Sequence, residues 1–220
     1  MLSAPRAGLL QEDIMCHSAL VSPRFISRIA AAFLAFAGLL VLPGCWVYSV
    51  NPLYEDNLAK PDTDLLFDQA LLGSWWIVND DCPWILTVTA NQQIYDLTTA
   101  PLPQCKSEEK TSRYEGHLVK LDSHVFLDVT PEQNEVCDLC LPLRSFFLAH
   151  VEENSLTLTP INYEWLKDSI EQKTVMLQTL PDRPPEILAS SSKELKAFMR
   201  KYADNKSVFQ ASSNITFKRK

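Results

Sequence analysis

Trp84-Ile85-Leu86-Thr87-Val88-Thr89, then Ala90-Asn91-Gln92, then Gln93-Ile94-Tyr95-Asp96-Leu97-Thr98 is the stretch whose reading decides the fold. Leu86 and Val88 alternate with threonines, and Tyr95 and Leu97 alternate with Asp96 and Thr98, the period of two that sends successive side chains to opposite faces of a strand. β-branched and aromatic residues dominate both halves, and Asn91-Gln92 between them reads as a tight turn. The stretch predicts an antiparallel hairpin with one buried face and one wet face.

The same unit recurs on either side. Tyr114 to Lys120 and His124 to Val129 flank Leu121-Asp122-Ser123, and Arg144 to Val151 and Leu156 to Ile161 flank Glu152-Glu153-Asn154-Ser155. A further strand is expected around Gly73-Ser74-Trp75-Trp76-Ile77-Val78, at the head of a domain that starts near Leu66. Seven strands at short, regular spacing predict a mainly β (α+β) domain, an antiparallel up-and-down meander closing into a barrel or half-barrel. Two helices are expected late in the chain. Tyr163 to Glu171 carries Trp165, Leu166 and Ile170 on one side. After Pro181-Asp182-Arg183-Pro184-Pro185, Ser191 and Glu194 form a capping box ahead of Leu195, Phe198, Met199 and Tyr202 at helical spacing. The other face of that helix holds Lys193, Lys196, Arg200 and Lys201, read as a solvated face or as a docking surface. Asn214 to Arg219 alternates as a closing strand.

Upstream, Arg24 and Arg28 precede the apolar run Ile29 to Leu42, which is shorter than the roughly 20 residues that span a bilayer and ends in Leu42-Pro43-Gly44-Cys45. This resembles a bacterial lipoprotein signal with its lipobox. The resemblance implies cleavage between Gly44 and Cys45, acylation of Cys45, and attachment of the mature chain to the membrane by acyl chains. A transmembrane anchor and a signal cleaved without lipidation are the alternatives. Residues 1–44 are then signal peptide; Glu12 and Asp13 are atypical ahead of a signal, so translation from Met15 or a position near Val21 is expected. Residues 45–65, rich in Pro, Asn and carboxylates, are expected to be a tether without helix or strand that holds the domain 66–220 off the bilayer. Trp46 rather than Asp follows the cysteine, which by analogy with proteobacterial sorting points to the outer membrane.

Gly73-Ser74-Trp75 resembles the Gly-x-Trp signature that opens lipocalin and lipocalin-like barrels. The resemblance implies that a late cation, from the pair Lys218-Arg219, lies across Trp75 and helps close the barrel. Val50-Asn51-Pro52-Leu53-Tyr54 through Trp75, with Leu118-Val119-Lys120 and Phe126-Leu127-Asp128, also resembles a widespread set of uncharacterised bacterial lipoproteins. Trp75, Trp76 and Trp84 can equally be core or rim aromatics with no ligand to explain.

Six cysteines are present. With Cys16 in the signal and Cys45 acylated, Cys82, Cys105, Cys137 and Cys140 remain, and all fall in the long connections that a meander gathers at one end. Disulfides are expected in an exported domain, with Cys82 and Cys105 natural partners; a zinc site built on Cys137-Asp138-Leu139-Cys140 is the alternative. A thiol-disulfide oxidoreductase using Cys137 and Cys140 is disfavoured, because Leu141-Pro142 follows where such folds start a helix. His117, His124 and His150 lie on predicted strands without metal-ligand spacing, and no nucleophile elbow or phosphate loop occurs. Asp80, Asp81, Asp96 and Asp128 are candidates for pairing in space. A net charge of −7 without a basic stripe excludes nucleic acid as an expected partner. The sequence therefore predicts an envelope lipoprotein that is not an enzyme and needs no cofactor. It binds an apolar or amphipathic small molecule or, alternatively, serves as an interaction or assembly protein without one.

Overall fold

The computed structural model describes residues 46–55, 62–77, 84–102, 111–132, 142–181 and 187–220. Eleven strands appear among them: β1 (Tyr48–Ser49), β2 (Leu65–Leu66), β3 (Gly73–Ile77), β4 (Trp84–Asn91), β5 (Ile94–Pro101), β6 (Ser112–Leu121), β7 (His124–Pro131), β8 (Arg144–Val151), β9 (Ser155–Pro160), β10 (Ile187–Leu188) and β11 (Ile215–Arg219). β3 through β9 pair in sequence as an antiparallel meander, except that β3 and β9 are each completed by β11. β8 also pairs with β9, so the sheet closes into an eight-stranded antiparallel barrel. Of the barrel or half-barrel expected, the closed barrel is the form adopted, and closure removes the open edges that a meander otherwise exposes.

The alternation around Trp84 to Thr98 does what a period of two requires. Val88 faces Leu97 and Thr89 faces Asp96 across the hairpin. Trp75, Leu86, Val88, Tyr95, Leu97, Leu118, Leu127, Phe147, Leu156 and Phe217 form one continuous core. That core fills the barrel: Trp75, Tyr95, Leu118, Leu127 and Leu156 are all essentially buried, as expected where eight strands leave an interior just wide enough for side chains. The tight turns use left-handed residues, Gln92 at φ 60° and Asp122 at φ 56°, and lie at one end with the β8–β9 turn. The last residues of β3, β5 and β7 and the first of β4, β6 and β8 lie at the other.

A second core sits outside the barrel wall. Val119, Leu121, Phe126 and Phe146 meet Leu166 of α1 (Tyr163–Glu171) and Leu195, Phe198 and Met199 of α2 (Ser192–Tyr202). β6 and β7 are thus apolar on both faces, which accounts for the unbroken runs Leu118-Val119 and Phe126-Leu127 where strict alternation lapses. Both helices carry the caps expected of them. Asn162 Oδ1 accepts from Glu164 and Trp165 N–H, and Ser191 with Glu194 forms a complete capping box.

The stretch expected as a tether over 45–65 is different where it is described. β1 pairs antiparallel with the first residues of β8 and parallel with β10, and Val47, Leu53 and Tyr54 belong to the outer core. The strap is pinned by individual hydrogen bonds: Val50 N–H to Leu188 O at 3.0 Å, Asn51 Nδ2 to Ser190 O at 2.9 Å, and Leu53 N–H to Asp128 Oδ2 at 2.8 Å. Further on, β2 takes over the pairing of β6 at Leu118 and Val119, beyond the Tyr95–Gly116 pair where the β5 ladder begins. Asp62 and Asp64 are clasped by Lys196 and Arg200 of α2, so part of the basic face on that helix is neither solvated nor a free docking surface. Pro, Asn and Asp break any period here, and two-residue strands leave none to read.

Candidate functional site

Two side-chain constellations stand out, one at each end of the barrel. At the tight-turn end, the three-residue turn Gln69–Leu71 crosses the opening and β3 begins. Trp75 is fully buried and donates from Nε1 to Leu71 O at 2.9 Å. Arg219 lies over its ring with the guanidinium carbon 4.2 Å from the centroid. The same guanidinium donates to Leu72 O at 2.9 Å, Ala70 O at 2.6 Å and Glu153 O at 2.6 Å. One cation thereby ties the last strand to the entry turn and to the β8–β9 turn. Gly73 makes room for it, at φ +123° with a hypothetical Cβ only 2.9 Å from Arg219 Nη1. Tyr95 completes the plug: its hydroxyl accepts from Asp68 N–H at 2.6 Å.

Toward the other end lies a buried ion pair on the outer wall. Asp128 is wholly buried on β7, and Arg144, at the start of β8, donates to its Oδ1 at 3.0 Å. Arg144 also donates to Tyr54 Oη at 3.2 Å and packs over that ring, and His117 lies against the Tyr54 ring at a tilt of 36° with centroids 4.4 Å apart. Burial raises the pKa of Asp128 above the usual carboxylate range, an effect that Arg144 and the Leu53 N–H only partly oppose. Burial likewise raises Tyr54. For Arg144, burial works against the charge, but Asp128 and Tyr54 outweigh it and hold the guanidinium protonated. The arrangement is a structural lock for the strap, since both partners of the pair also bind residues of 46–55.

Beyond this lock a groove of about 520 Å³ is lined by Asp96, Arg113, Glu115, Thr130, Glu132 and Arg144, with Leu97, Tyr114, Pro131 and Pro142. Asp96 pairs with Glu115, and Glu115 with Thr130, across β5, β6 and β7. Their faces alternate with the inward Tyr95 and Leu97, so this row looks outward while Leu97 and Tyr114 bring the groove over the rim. The site is therefore a charged groove with an apolar border, outside a filled barrel. Smaller hollows occur beside Asp68, His124 and His150, and beside Met176.

Gly44, Cys45, Cys82, Cys105, Cys137 and Cys140 lie outside the described residues, as do Asp80 and Asp81. Among the candidates that are described, Gly73, Trp75 and Arg219 come together, and Asp96 and Asp128 do not pair. His124 meets Asp204 at 3.0 Å and His150 meets Glu152 at 3.1 Å, both at the surface. Among the described residues no group of three or more His, Cys, Asp or Glu could hold a metal ion. Sequence reasoning missed Arg144 and Tyr54. The available signal was Asp128 itself, a charge inside Val125-Phe126-Leu127-Asp128-Val129, which burial obliges to find a partner. Comparison with protein families, with curated proteins and with solved structures gives no match.

Proposed function

We propose that this chain is a lipid-anchored envelope protein, acylated at Cys45 after cleavage behind Gly44, whose barrel is a non-catalytic binding module. Its ligand is an amphipathic small molecule, with a charged head meeting Arg113, Asp96 and Glu115 and an apolar portion against Leu97 and Tyr114. The observation that carries this reading is the groove of about 520 Å³, within the size range of small-molecule sites. A wholly apolar ligand inside the barrel is not part of the proposal, because Trp75, Tyr95 and Leu118 already occupy that space.

Native mass spectrometry of the chain purified from its membrane tests the binding reading. A co-purifying small molecule that is lost on Arg113→Ala supports it; a bare protein mass with an undiminished partner-protein complex supports the second reading, an interaction or assembly protein, which the filled interior favours. Incorporation of labelled palmitate tests the anchor, and persistence of label in Cys45→Ser refutes it. The exported compartment implies disulfides among Cys82, Cys105, Cys137 and Cys140 in preference to zinc.

A further inference from the structure

The strap leaves no slack between the acylation site and the folded barrel. Consecutive Cα atoms stand about 3.8 Å apart, so acyl chains carried by Cys45 hold Trp46 at the level of the lipid headgroups. Residue 47 is already buried, and Tyr48–Ser49 is paired on both sides. A free tether of the length expected for 45–65 would have allowed the barrel any orientation; a link of one residue does not. The strand so anchored pairs with Arg144 and Ser145, the first residues of β8. That is the end at which β4, β6 and β8 begin, opposite the tight turns.

What the anchor brings down fits an interface. Trp46 is 39% exposed and Tyr48 37%, two of the four large apolar side chains exposed among the described residues. They occupy alternate positions of one extended segment and so share a side, where Trp46 rests edge-on against Phe147 with centroids 5.1 Å apart. Trp and Tyr are the residues enriched at the headgroup level of membranes, having an apolar body and a polar tip. Building on the acylation of Cys45 put forward above, we propose that Trp46 and Tyr48, at the end of the barrel where β8 begins, dock directly on the bilayer, with the tight turns pointing away. The groove at Arg113 and Arg144 then opens beside the headgroups, where an amphipathic molecule can pass between bilayer and protein.

The test uses the full chain, purified with its acyl groups and reconstituted into phosphatidylcholine vesicles whose acyl chains are brominated near the headgroup. Bromine quenches tryptophans in contact with the bilayer. Intact mass first establishes acylation, and a mass without acyl groups overturns the anchor and the docking together. With acylation present, Trp46→Phe is expected to lose part of the quenching, Trp76 and Trp84 lying toward the same end, while Gln93→Trp in that background, in the β4–β5 turn at the far end, is expected not to restore it. Undiminished quenching in folded Trp46→Phe, or restoration by Gln93→Trp, overturns the docking and leaves the anchor standing.

Discussion

Truncating Arg144 to alanine leaves Asp128 wholly buried with the Leu53 N–H as its remaining donor. The magnitude follows from the geometry. Arg144 Nη1 lies 3.0 Å from the carboxylate, which places the charge centres about 4 Å apart, and at an effective dielectric near 20 such a pair interacts by about 4 kcal/mol. Removing one partner of a buried pair costs about 3–5 kcal/mol by the same logic. For a domain of this size that lowers the melting temperature by roughly 6–20 °C, at about 2–4 °C per kcal/mol. The sign with pH is fixed by Asp128. Its folded pKa is raised above that of an unfolded aspartate, so it contributes stability at low pH that is lost as pH rises through the folded value. Deleting Arg144 removes the charge that opposes this rise, so the deficit of Arg144→Ala is larger at the higher of two pH values. Asp128→Asn with Arg144→Met keeps an acceptor for Leu53 N–H and buries no lone charge; the pair together is expected to lose only about 1–2 kcal/mol. Urea unfolding followed by tryptophan fluorescence at both pH values checks this. A loss below about 1 kcal/mol in the single variant, or a deficit that shrinks as pH rises, refutes the reasoning.

Gly73→Ala should destabilise by about 1–3 kcal/mol, because a Cβ at positive φ meets Arg219; thermal unfolding measures it. Arg219→Lys should not rescue the loss seen in Arg219→Ala, since one ammonium cannot reach three carbonyls while lying flat on Trp75. In the α2 clasp, burial opposes ionisation of Asp62, but hydrogen bonds from Lys196 and two backbone N–H groups win and lower its pKa. Its contribution is present above the unfolded value and lost as pH falls through the folded one, so Lys196→Met should flatten the acid limb of the stability profile below about pH 4. Ser191→Ala removes the α2 cap and should lose about 1 kcal/mol in the same assay. For the oxidised chain, two bridges lower the intact mass by two hydrogens each, and bound metal in place of that loss would overturn the preference for disulfides.

Legibility tracked how much chain a feature spans. The hairpins at Asn91-Gln92, Asp122-Ser123 and Glu152 to Ser155 were readable because each arm repeats its alternation several times. α2 was readable because Ser191 and Glu194 announce its start and Leu195, Phe198 and Met199 its buried side. The strap was not. Val47, Leu53 and Tyr54 are buried one at a time by partners far along the chain, and hydrogen bonds from Asn51 to Ser190 or from Leu53 to Asp128 leave no local pattern. The same holds for Lys196: its helical spacing places it on a polar face, and only the fold brings Asp62 and Asp64 onto it.

That asymmetry bears on where function sits. The regular part of the chain spends its apolar residues filling the barrel, with Trp75 and Arg219 closing one end, and so leaves little room for a ligand in the place a barrel usually offers one. The irregular part builds the remaining distinctive chemistry: the strap locks onto Asp128 and Arg144, Arg144 borders the charged groove, and the strap's first residue adjoins the cysteine proposed for acylation. Strap, lock and groove are therefore directly linked, because Ser49 pairs with Arg144 in the same short ladder that holds Tyr48. A force or a ligand that disturbs Arg144 acts on the strap, and through it on the proposed docking of Trp46 and Tyr48.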